Sequence, residues 1–450
     1  MHREQVCCRY TEQQQSASQH GAALLVFTVI VVVFALTSFL YLLNSSSYAL
    51  QQERITNEAL AQAKEALIGY AASVKLTTAR PGDLPCPDIH LPGSSQEGTP
   101  STPCDGNALG RLPWKTLGLS DLRDGSGERL WYAVSNKFKN STRTTCTSPG
   151  QSGCLNSDTS GTITVRNPNG VIINDGSDSS GVIALIIAPG NALTREDGVI
   201  QIRNQANSND SKHYLDIGNG EDNASFENTT TDGFINGIVR SSSNNIVVND
   251  RILTITSENL MPTLEKRVAK EVLTCLTEYA EKPENLHRYP WAASLNTAAA
   301  PNYTDKSGNR FGRVPDTPFS VTKTDSGDIM DDSWTGNCNI NSTTGWWLNW
   351  KEHVFYALAD AYKPGITTPN CGVTGSCLVI SPPSDTANKQ VAVLMASRRL
   401  TNVANGQPRT SNAEKSTVAN YLEEQNSTVA DNTFTQTTAS SKLNDYVLYK

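Results

Sequence analysis

One series of sequence landmarks occurs twice along the 450-residue chain, in the same order each time. The first series runs AKEALIGYAA, LGRLPW, GERLWYAVSNKF, GVIALIIAPG and NDRILTIT, and the second runs AKEVLTCLTEYA, FGRVPDTPF, KEHVFYALADAY, KQVAVLMAS and NDYVLYK. Landmarks such as Ala188 with Ala396, and Phe226 with Phe434, keep one separation of about 208 residues. Because chance similarity does not give so many matches in one order, the sequence predicts an internal duplication.

Each copy begins with a helical pattern and continues into short strands. In the second copy, apolar residues recur at spacings of three and four from Leu264 to Tyr279, which is typical of one helical face. The apolar runs 182–187 and 391–395 are typical of strands in a covered sheet. The polar stretch 205–243 is expected to be a long loop.

A run of apolar residues, Ala22–Leu43, contains neither charge nor proline. As a helix it would extend about 33 Å at about 1.5 Å per residue, enough to cross the hydrocarbon core of a bilayer. A second apolar stripe continues from Leu60 to Val74, and Arg80-Pro81-Gly82 ends the pattern. The sequence thus predicts one long helix, transmembrane in its first half and amphipathic in its second.

The predicted fold class is α+β, with this long N-terminal helix and two duplicated headgroup domains, each a helix on an antiparallel sheet. The predicted boundaries are a leader peptide at 1–21, the helix at 22–76, a first headgroup repeat at 77–257 and a second at 258–450.

Cysteines predict an oxidising compartment. Short polar loops closed by a cysteine at each end indicate local disulfides, whereas a cytosolic protein would keep free thiols. The predicted pairs are Cys146–Cys154, Cys371–Cys377 and Cys86–Cys104. Pairing of Cys275 with Cys338 stays open, because Cys275 lies on an apolar helix face where a buried free thiol is common.

Composition and motifs argue against several functions. The formal net charge of −7 disfavours nucleic acid as a partner. The sequence contains no G-x-S-x-G, H-E-x-x-H or Walker motif, so we predict that the protein is not an enzyme. The histidines His213, His287 and His353 are scattered and are interpreted as structural. The tryptophans 346, 347 and 350 form a cluster that suits core packing better than a sugar-binding surface.

Some acidic residues in Gly- and Asn-rich turns could supply oxygen ligands to calcium. These candidates are Asp175, Asp178, Asp216, Glu221 and Asp222. Their spacing does not fit a calcium-binding loop, so solvated turn residues are the favoured interpretation. No cofactor is predicted, and calcium is kept as the alternative.

The N-terminal region resembles that of type IV pilins and pseudopilins. The resemblance is carried by Gln19-His20-Gly21, by the following Ala22-Ala23-Leu24-Leu25, and by the long helix; RPGDLPCPD, GRLPWKTLGL and GERLWYAVS also resemble stretches of pilin-like proteins of Gram-negative bacteria. It implies cleavage by prepilin peptidase after Gly21 and methylation of Ala22 as the new N-terminus. The implied partners are other pilin or pseudopilin subunits, prepilin peptidase and the inner membrane, and calcium sites do occur in pseudopilins.

One position departs from the major-pilin pattern. Major pilins carry Glu at mature position five, where it pairs with the N-terminal amine of the preceding subunit, and here that position is Val26. A subunit at the filament tip has no predecessor, and the large tip-capping pseudopilin of type II secretion also lacks this Glu.

The sequence therefore predicts a minor, tip-located subunit that initiates or caps a type IV pilus or a type II secretion-type filament. It would be single-pass in the inner membrane with a periplasmic domain, and extracellular at the tip after assembly. One alternative is a plain membrane protein whose leader is never cut. Another is a membrane-anchored periplasmic binding protein that does not polymerise.

Overall fold

A computed structural model describes most of the chain. The described residues are 20–104, 108–141, 145–149, 153–226, 233–297, 302–320, 330–334, 336, 338, 340, 345–382, 388–400, 406–429 and 432–450, with the side chains of 20–23 and 37–46 left out. The predicted leader at 1–21 lies outside them except for His20 and Gly21. Two compact units are present, 1–55 and 56–450.

The described residues form fewer α-helices than strands. The α-helices are α1 (His20–Ser73), α2 (Ser257–Ala280), α3 (Trp346–Trp350) and α4 (Asn412–Lys415). Helix α2 starts directly after Thr256, whose backbone N–H donates to Asn259 Oδ1 at 3.2 Å. Such a bond satisfies a backbone donor at the helix start.

The strands are short, and most of them are buried. They are β1 (Leu109–Arg111), β2 (Trp131–Val134), β3 (Thr164–Arg166), β4 (Ile172–Asn174), β5 (Ala184–Ala188), β6 (Ile217–Gly218), β7 (Glu221–Asp222), β8 (Gly233–Ile235), β9 (Val239–Arg240), β10 (Ile246–Val248), β11 (Arg251–Ile255), β12 (Phe311–Arg313), β13 (Val354–Leu358), β14 (Val379–Ser381), β15 (Val391–Met395), β16 (Thr433–Thr435) and β17 (Tyr446–Tyr449). Strands β6 to β9 lie in the stretch expected to be a long loop, so that expectation was wrong.

Two four-stranded antiparallel sheets have the same plan. Their strand orders are β1-β2-β5-β11 and β12-β13-β15-β17. Arg111 lies opposite Trp131 in the first sheet, and Arg313 lies opposite Phe355 in the second. A short parallel pair accompanies each sheet, β3 with β8 and β14 with β16. The central strands β5 and β15 are fully buried, as their continuous apolar sequences require.

One apolar core contains residues from both sheets. Helix α2 packs on β15 and β17, and the side chain of its Leu264 lies close to Gly82, from the first half of the chain. In unit 56–450, Leu60 and Leu67 of α1 are buried in this core. Burying a leucine side chain contributes about 1.5–3 kcal/mol. These two residues therefore anchor this part of α1 in the core.

The predicted fold class is wrong. The chain is mixed α/β, built mostly from small sheets, and in the described part no helix is long and apolar enough to cross a membrane.

Disulfides link cysteines in the described residues, and each joins a pair considered from the sequence. They are Cys86–Cys104, Cys146–Cys154, Cys275–Cys338 and Cys371–Cys377. The pair left open by the sequence, Cys275–Cys338, spans 63 residues and closes the longest loop. In the chain-entropy model a longer loop gives a larger stabilisation. Cys7 and Cys8 lie outside the described residues.

Candidate functional site

Each half of unit 56–450 stacks an arginine on a tyrosine. The guanidinium of Arg203 lies 5.4 Å from the ring centroid of Tyr214, and that of Arg409 lies 4.4 Å from the ring of Tyr421. In both halves the arginine Nε donates to a backbone carbonyl, that of His213 at 3.1 Å and that of Asn420 at 2.5 Å. The two arginines therefore occupy matching positions.

Behind Arg203 lies a buried pair of carboxyl groups. Gln201 Nε2 donates to Asp216 Oδ1 at 2.8 Å, and Asp216 N donates to Asp250 Oδ2 at 2.8 Å. Asp250 N donates back to Asp216 Oδ2 at 3.2 Å, and Asn223 Nδ2 donates to Asp250 Oδ2 at 2.9 Å. Burial raises the pKa of Asp216 to about 6. Burial, and then the charge of Asp216, raise the pKa of Asp250 well above its ordinary value.

The second half repeats this arrangement with one exchange, glutamate for aspartate. Gln407 Nε2 donates to Glu423 Oε1, and Glu423 N donates to Asp445 Oδ2 at 2.9 Å. Asn426 Nδ2 donates to Asp445 Oδ2 at 3.3 Å. Burial, and then the charge of Glu423, raise the pKa of Asp445. Each half thus contains a buried acid pair in which burial and the neighbouring carboxyl raise the pKa of one aspartate.

In the second half, the cleft beside Arg409 holds a carboxylate from the first half. Arg409 Nη1 lies 3.2 and 3.1 Å from the two oxygens of Asp158, and Arg399 N donates to Asp158 Oδ1 at 3.1 Å. His353 Nε2 lies 3.8 Å from Asp158 Oδ2. Burial opposes ionisation of Asp158, but Arg409 and then His353 lower its pKa below the ordinary value. The cleft encloses about 280 Å³.

His353 forms the floor of this second-half cleft. Burial lowers its pKa to about 4, although Asp158 acts in the opposite direction. The imidazole is therefore neutral at pH 7, and Nδ1 lies 3.2 Å from the carbonyl oxygen of Ala396. At pH 7 the positive charge beside Asp158 therefore comes from Arg409 and from Arg399, whose Nε lies 3.7 Å from Asp158 Oδ1.

Another cleft lies in the first half, beside Tyr214. It encloses about 420 Å³ and is lined by Arg111, Arg123, Glu128, Arg129, Trp131, Ser208 and Tyr214, among others. Glu128 Oε1 approaches Arg203 Nη1 at 3.4 Å. Its arginines are paired with carboxylates: Arg129 with Glu97 and Asp121, and Arg123 with Asp121.

A third and larger groove, of about 830 Å³, lies between the start of α2 and residues 436–446. On its wall, Ser397 Oγ donates to Glu265 Oε2 at 2.7 Å. Burial raises the pKa of Glu265 to about 7. The wall also carries the apolar Met261 and charged residues of both signs, among them Glu258, Lys266, Arg398 and Arg399.

We expect Asp158→Asn to lower the free energy of unfolding by about 1–2 kcal/mol, because the buried Arg409 loses its charged acceptor. Chemical denaturation at pH 7 measures the change. The matched control is Asp178→Asn, since Asp178 is exposed and accepts from Ser180 N; we expect a change within about 0.5 kcal/mol. Equal effects of the two variants would contradict the role given to Asp158.

The residues predicted for N-terminal processing lie at the start of α1. Gly21 and Ala22 lie in α1, beside the first described residue, His20. Val26 is 58% exposed. All large apolar side chains from Leu24 to Leu36 are 50–74% exposed, so this part of the helix is apolar on every side.

The structure does not bring the calcium candidates together. Asp175 accepts from Ser177, Asp216 belongs to the buried pair, Glu221 pairs with Arg166 and Asp222 pairs with Arg195, while Asp178 is exposed. Within the described residues no group of three or more His, Cys, Asp or Glu side chains could hold a metal ion. The nearby cations and backbone donors occupy the oxygens that a metal would need.

The tryptophan cluster lies in the core. Trp346, Trp347 and Trp350 are at most 1% exposed, and Trp347 Nε1 donates to Asp316 Oδ1 at 2.7 Å. This agrees with core packing and leaves no surface platform at these residues. His213 accepts from Ile202 N through Nδ1 at 3.0 Å, a structural contact.

Sequence reasoning did not find the repeated polar network. Its signal lies in the duplication itself: Gln201-Ile202-Arg203 corresponds to Gln407-Pro408-Arg409, Tyr214-Leu215-Asp216 to Tyr421-Leu422-Glu423, and Asn249-Asp250 to Asn444-Asp445. Comparing polar as well as apolar landmarks between the copies would have shown it.

Scans against protein-family models, curated proteins and solved structures found no match to this chain.

Proposed function

We propose that the protein is a pilin-like or pseudopilin-like structural subunit, exported to an oxidising compartment and assembled at or near the tip of a filament. One observation carries the proposal: the continuous exposed apolar surface of α1 from Leu24 to Leu36. Exposed apolar patches of this extent mark interaction sites. A helix that is apolar all round needs apolar neighbours on every side, and helices of other subunits would supply them.

Two further features support parts of this proposal. The disulfides of the headgroup suit an exported protein, because cytosolic thiols are kept reduced. Val26 stands at the position where major pilins carry Glu. This supports a place at the filament tip, where no subunit precedes this one.

Replacement of Gly21 by Leu tests the proposal. With a co-expressed prepilin peptidase, the wild-type chain should begin at Ala22, and Gly21→Leu should keep the full-length mass, because the peptidase requires a small residue at the cut. Intact mass spectrometry and N-terminal sequencing measure this. The matched control is Gly69→Leu, since a Cβ at Gly69 would meet nothing within 4 Å; it should be processed like the wild type. A wild-type chain that stays uncut would remove the pilin proposal.

The open cleft of the first half favours a second function, an exported binding protein that does not polymerise. The two functions differ in the state of the processed protein. Filaments that contain the protein support the first, and a processed protein that stays monomeric beside normal filaments supports the second.

A further inference from the structure

The groove between the start of α2 and residues 436–446 is lined by two kinds of side chain, apart from its charged residues. Uncharged side chains that form hydrogen bonds are Gln436, Thr437, Thr438, Ser440 and Asn444, and apolar or aromatic ones include Met261, Pro262, Leu400 and Tyr446. The volume of about 830 Å³ lies in the range of ligand pockets. A ligand that fits this lining has many hydrogen-bonding groups and an apolar surface in one molecule.

Two buried acceptors on the lining have no donor. Glu265 Oε1 and Asn444 Oδ1 make no hydrogen bond within the described residues. The other oxygen of Glu265 accepts from Ser397 Oγ at 2.7 Å. A buried acceptor without a donor costs free energy, and native structures seldom leave one unpaired. The lining therefore favours a ligand rich in hydrogen-bond donors.

The carboxyl of Glu265 has no counterpart in the first copy of the repeat. Ala63-Lys64-Glu65 corresponds to Ala269-Lys270-Glu271, which places Ala59 at the position of Glu265. Ala59 is buried, as Glu265 is. The shared plan of the two halves thus does not require a carboxyl here, and its presence in the second half alone favours a role in binding.

The charged side chains of the lining do not favour an ion. They are Glu258, Glu265, Lys266, Arg398 and Arg399. Arg399 Nε lies 3.7 Å from Asp158 Oδ1, and Arg398 donates to the carbonyl oxygen of Ser179. With these two arginines engaged, the cation of Lys266 is left beside the two glutamates. Neither sign of charge dominates, so an uncharged ligand fits best.

We propose that this groove binds an uncharged oligosaccharide. Sugar hydroxyls both donate and accept hydrogen bonds, as serine and threonine hydroxyls do, and the C–H faces of a sugar ring are apolar. Hydroxyls of the ligand donate to Glu265 and Asn444 and bond to Thr438, while a ring packs on Tyr446. The site lies in unit 56–450, and binding there does not require filament assembly.

A glycan array tests the class of ligand. The full protein is applied in a zwitterionic detergent, because a detergent with a sugar head group would compete for the groove. Uncharged glycans should bind, and sialylated or sulfated glycans should bind no better than their uncharged counterparts. The glycan that binds most tightly is then titrated into each variant and followed by ligand-observed NMR.

Glu265→Ala should weaken binding about tenfold through loss of an acceptor at the floor of the groove, and Thr438→Val about two- to fivefold through loss of one hydroxyl. The matched controls are Glu284→Ala and Thr274→Val, at exposed positions outside the groove; both should bind like the wild type. Thermal melting of each variant confirms folding. Thr438 is exposed, so Thr438→Val tests the site without disturbing the core.

Three results would each overturn the proposal: no binding of any uncharged glycan, binding of acidic glycans alone, or equal weakening by a groove variant and its control.

Discussion

Replacing Lys351 by Met should lower the free energy of unfolding by about 3–5 kcal/mol, because the change leaves Asp316 as an uncompensated buried charge. Lys351 Nζ lies 2.7 Å from Asp316 Oδ2, and the two side chains are 0% and 3% exposed. Lys351 also lies 4.2 Å from the ring centroid of Tyr303. Burial lowers the pKa of Lys351, and Asp316 opposes that shift.

The matched control is Lys363→Met. Lys363 Nζ lies 2.8 Å from Asp360 Oδ1, a similar distance, but these side chains are 31% and 46% exposed. Exposed pairs of this kind contribute about 0–1 kcal/mol. Urea denaturation at pH 7 compares the two variants. Adding Asp316→Asn to Lys351→Met should recover part of the loss, and losses of similar size at Lys351 and Lys363 would contradict this account.

The second large effect comes from the buried pair Asp216–Asp250, which makes the free energy of unfolding depend on pH. The folded-state pKa of Asp216 is about 6 against an ordinary 3.8, so between these values the folded chain holds a proton that the unfolded chain has lost. Its stabilisation is fully present below about pH 4 and is lost as the pH rises through about 6. By linkage, a shift of this size corresponds to about 3 kcal/mol.

Asp250→Asn tests this dependence. The amide keeps an acceptor for Asp216 N and Asn223 Nδ2, and its nitrogen takes the place of Oδ1, which has no hydrogen-bond partner in the described structure. We expect the variant to be more stable than the wild type at pH 7–8 in denaturation experiments, because the proton that Asp250 needs above pH 6 is no longer required. The dependence between about pH 4 and 6 should remain, because burial keeps the pKa of Asp216 raised. Asp178→Asn, at an exposed carboxyl, should reproduce the wild-type profile. An unchanged profile above pH 6 in Asp250→Asn would contradict the assignment to this pair.

Local patterns predicted the parts of the fold that depend on local sequence. The apolar runs around Ile186 and Val393 became buried strands, because a run without polar residues needs cover on both faces. Cys371 and Cys377, only six positions apart, are bonded across a short loop. The predicted membrane span rested on an unbroken apolar run in the sequence, and among the described residues no helix is long and apolar enough to cross a membrane.

The candidate site could not be predicted in the same way, because its contacts join distant residues. Asp158 and Arg409 are 251 positions apart, and no local pattern connects them. Asp216 was predicted to lie in a Gly- and Asn-rich turn, but tertiary packing buries it. Polar residues that become buried through long-range contacts look like loop residues in a single sequence.

The common core that joins the two sheets has a practical consequence for dissecting this protein. Leu155 N donates to Asn349 Oδ1 at 2.9 Å, and Arg80 reaches the same oxygen at 3.3 Å, so polar as well as apolar groups are shared. A fragment cut between β11 and α2, where Thr256 alone separates the elements, would expose faces that normally cover each other. Such halves would precipitate when produced singly, and co-expression would be the way to recover them as a complementing pair.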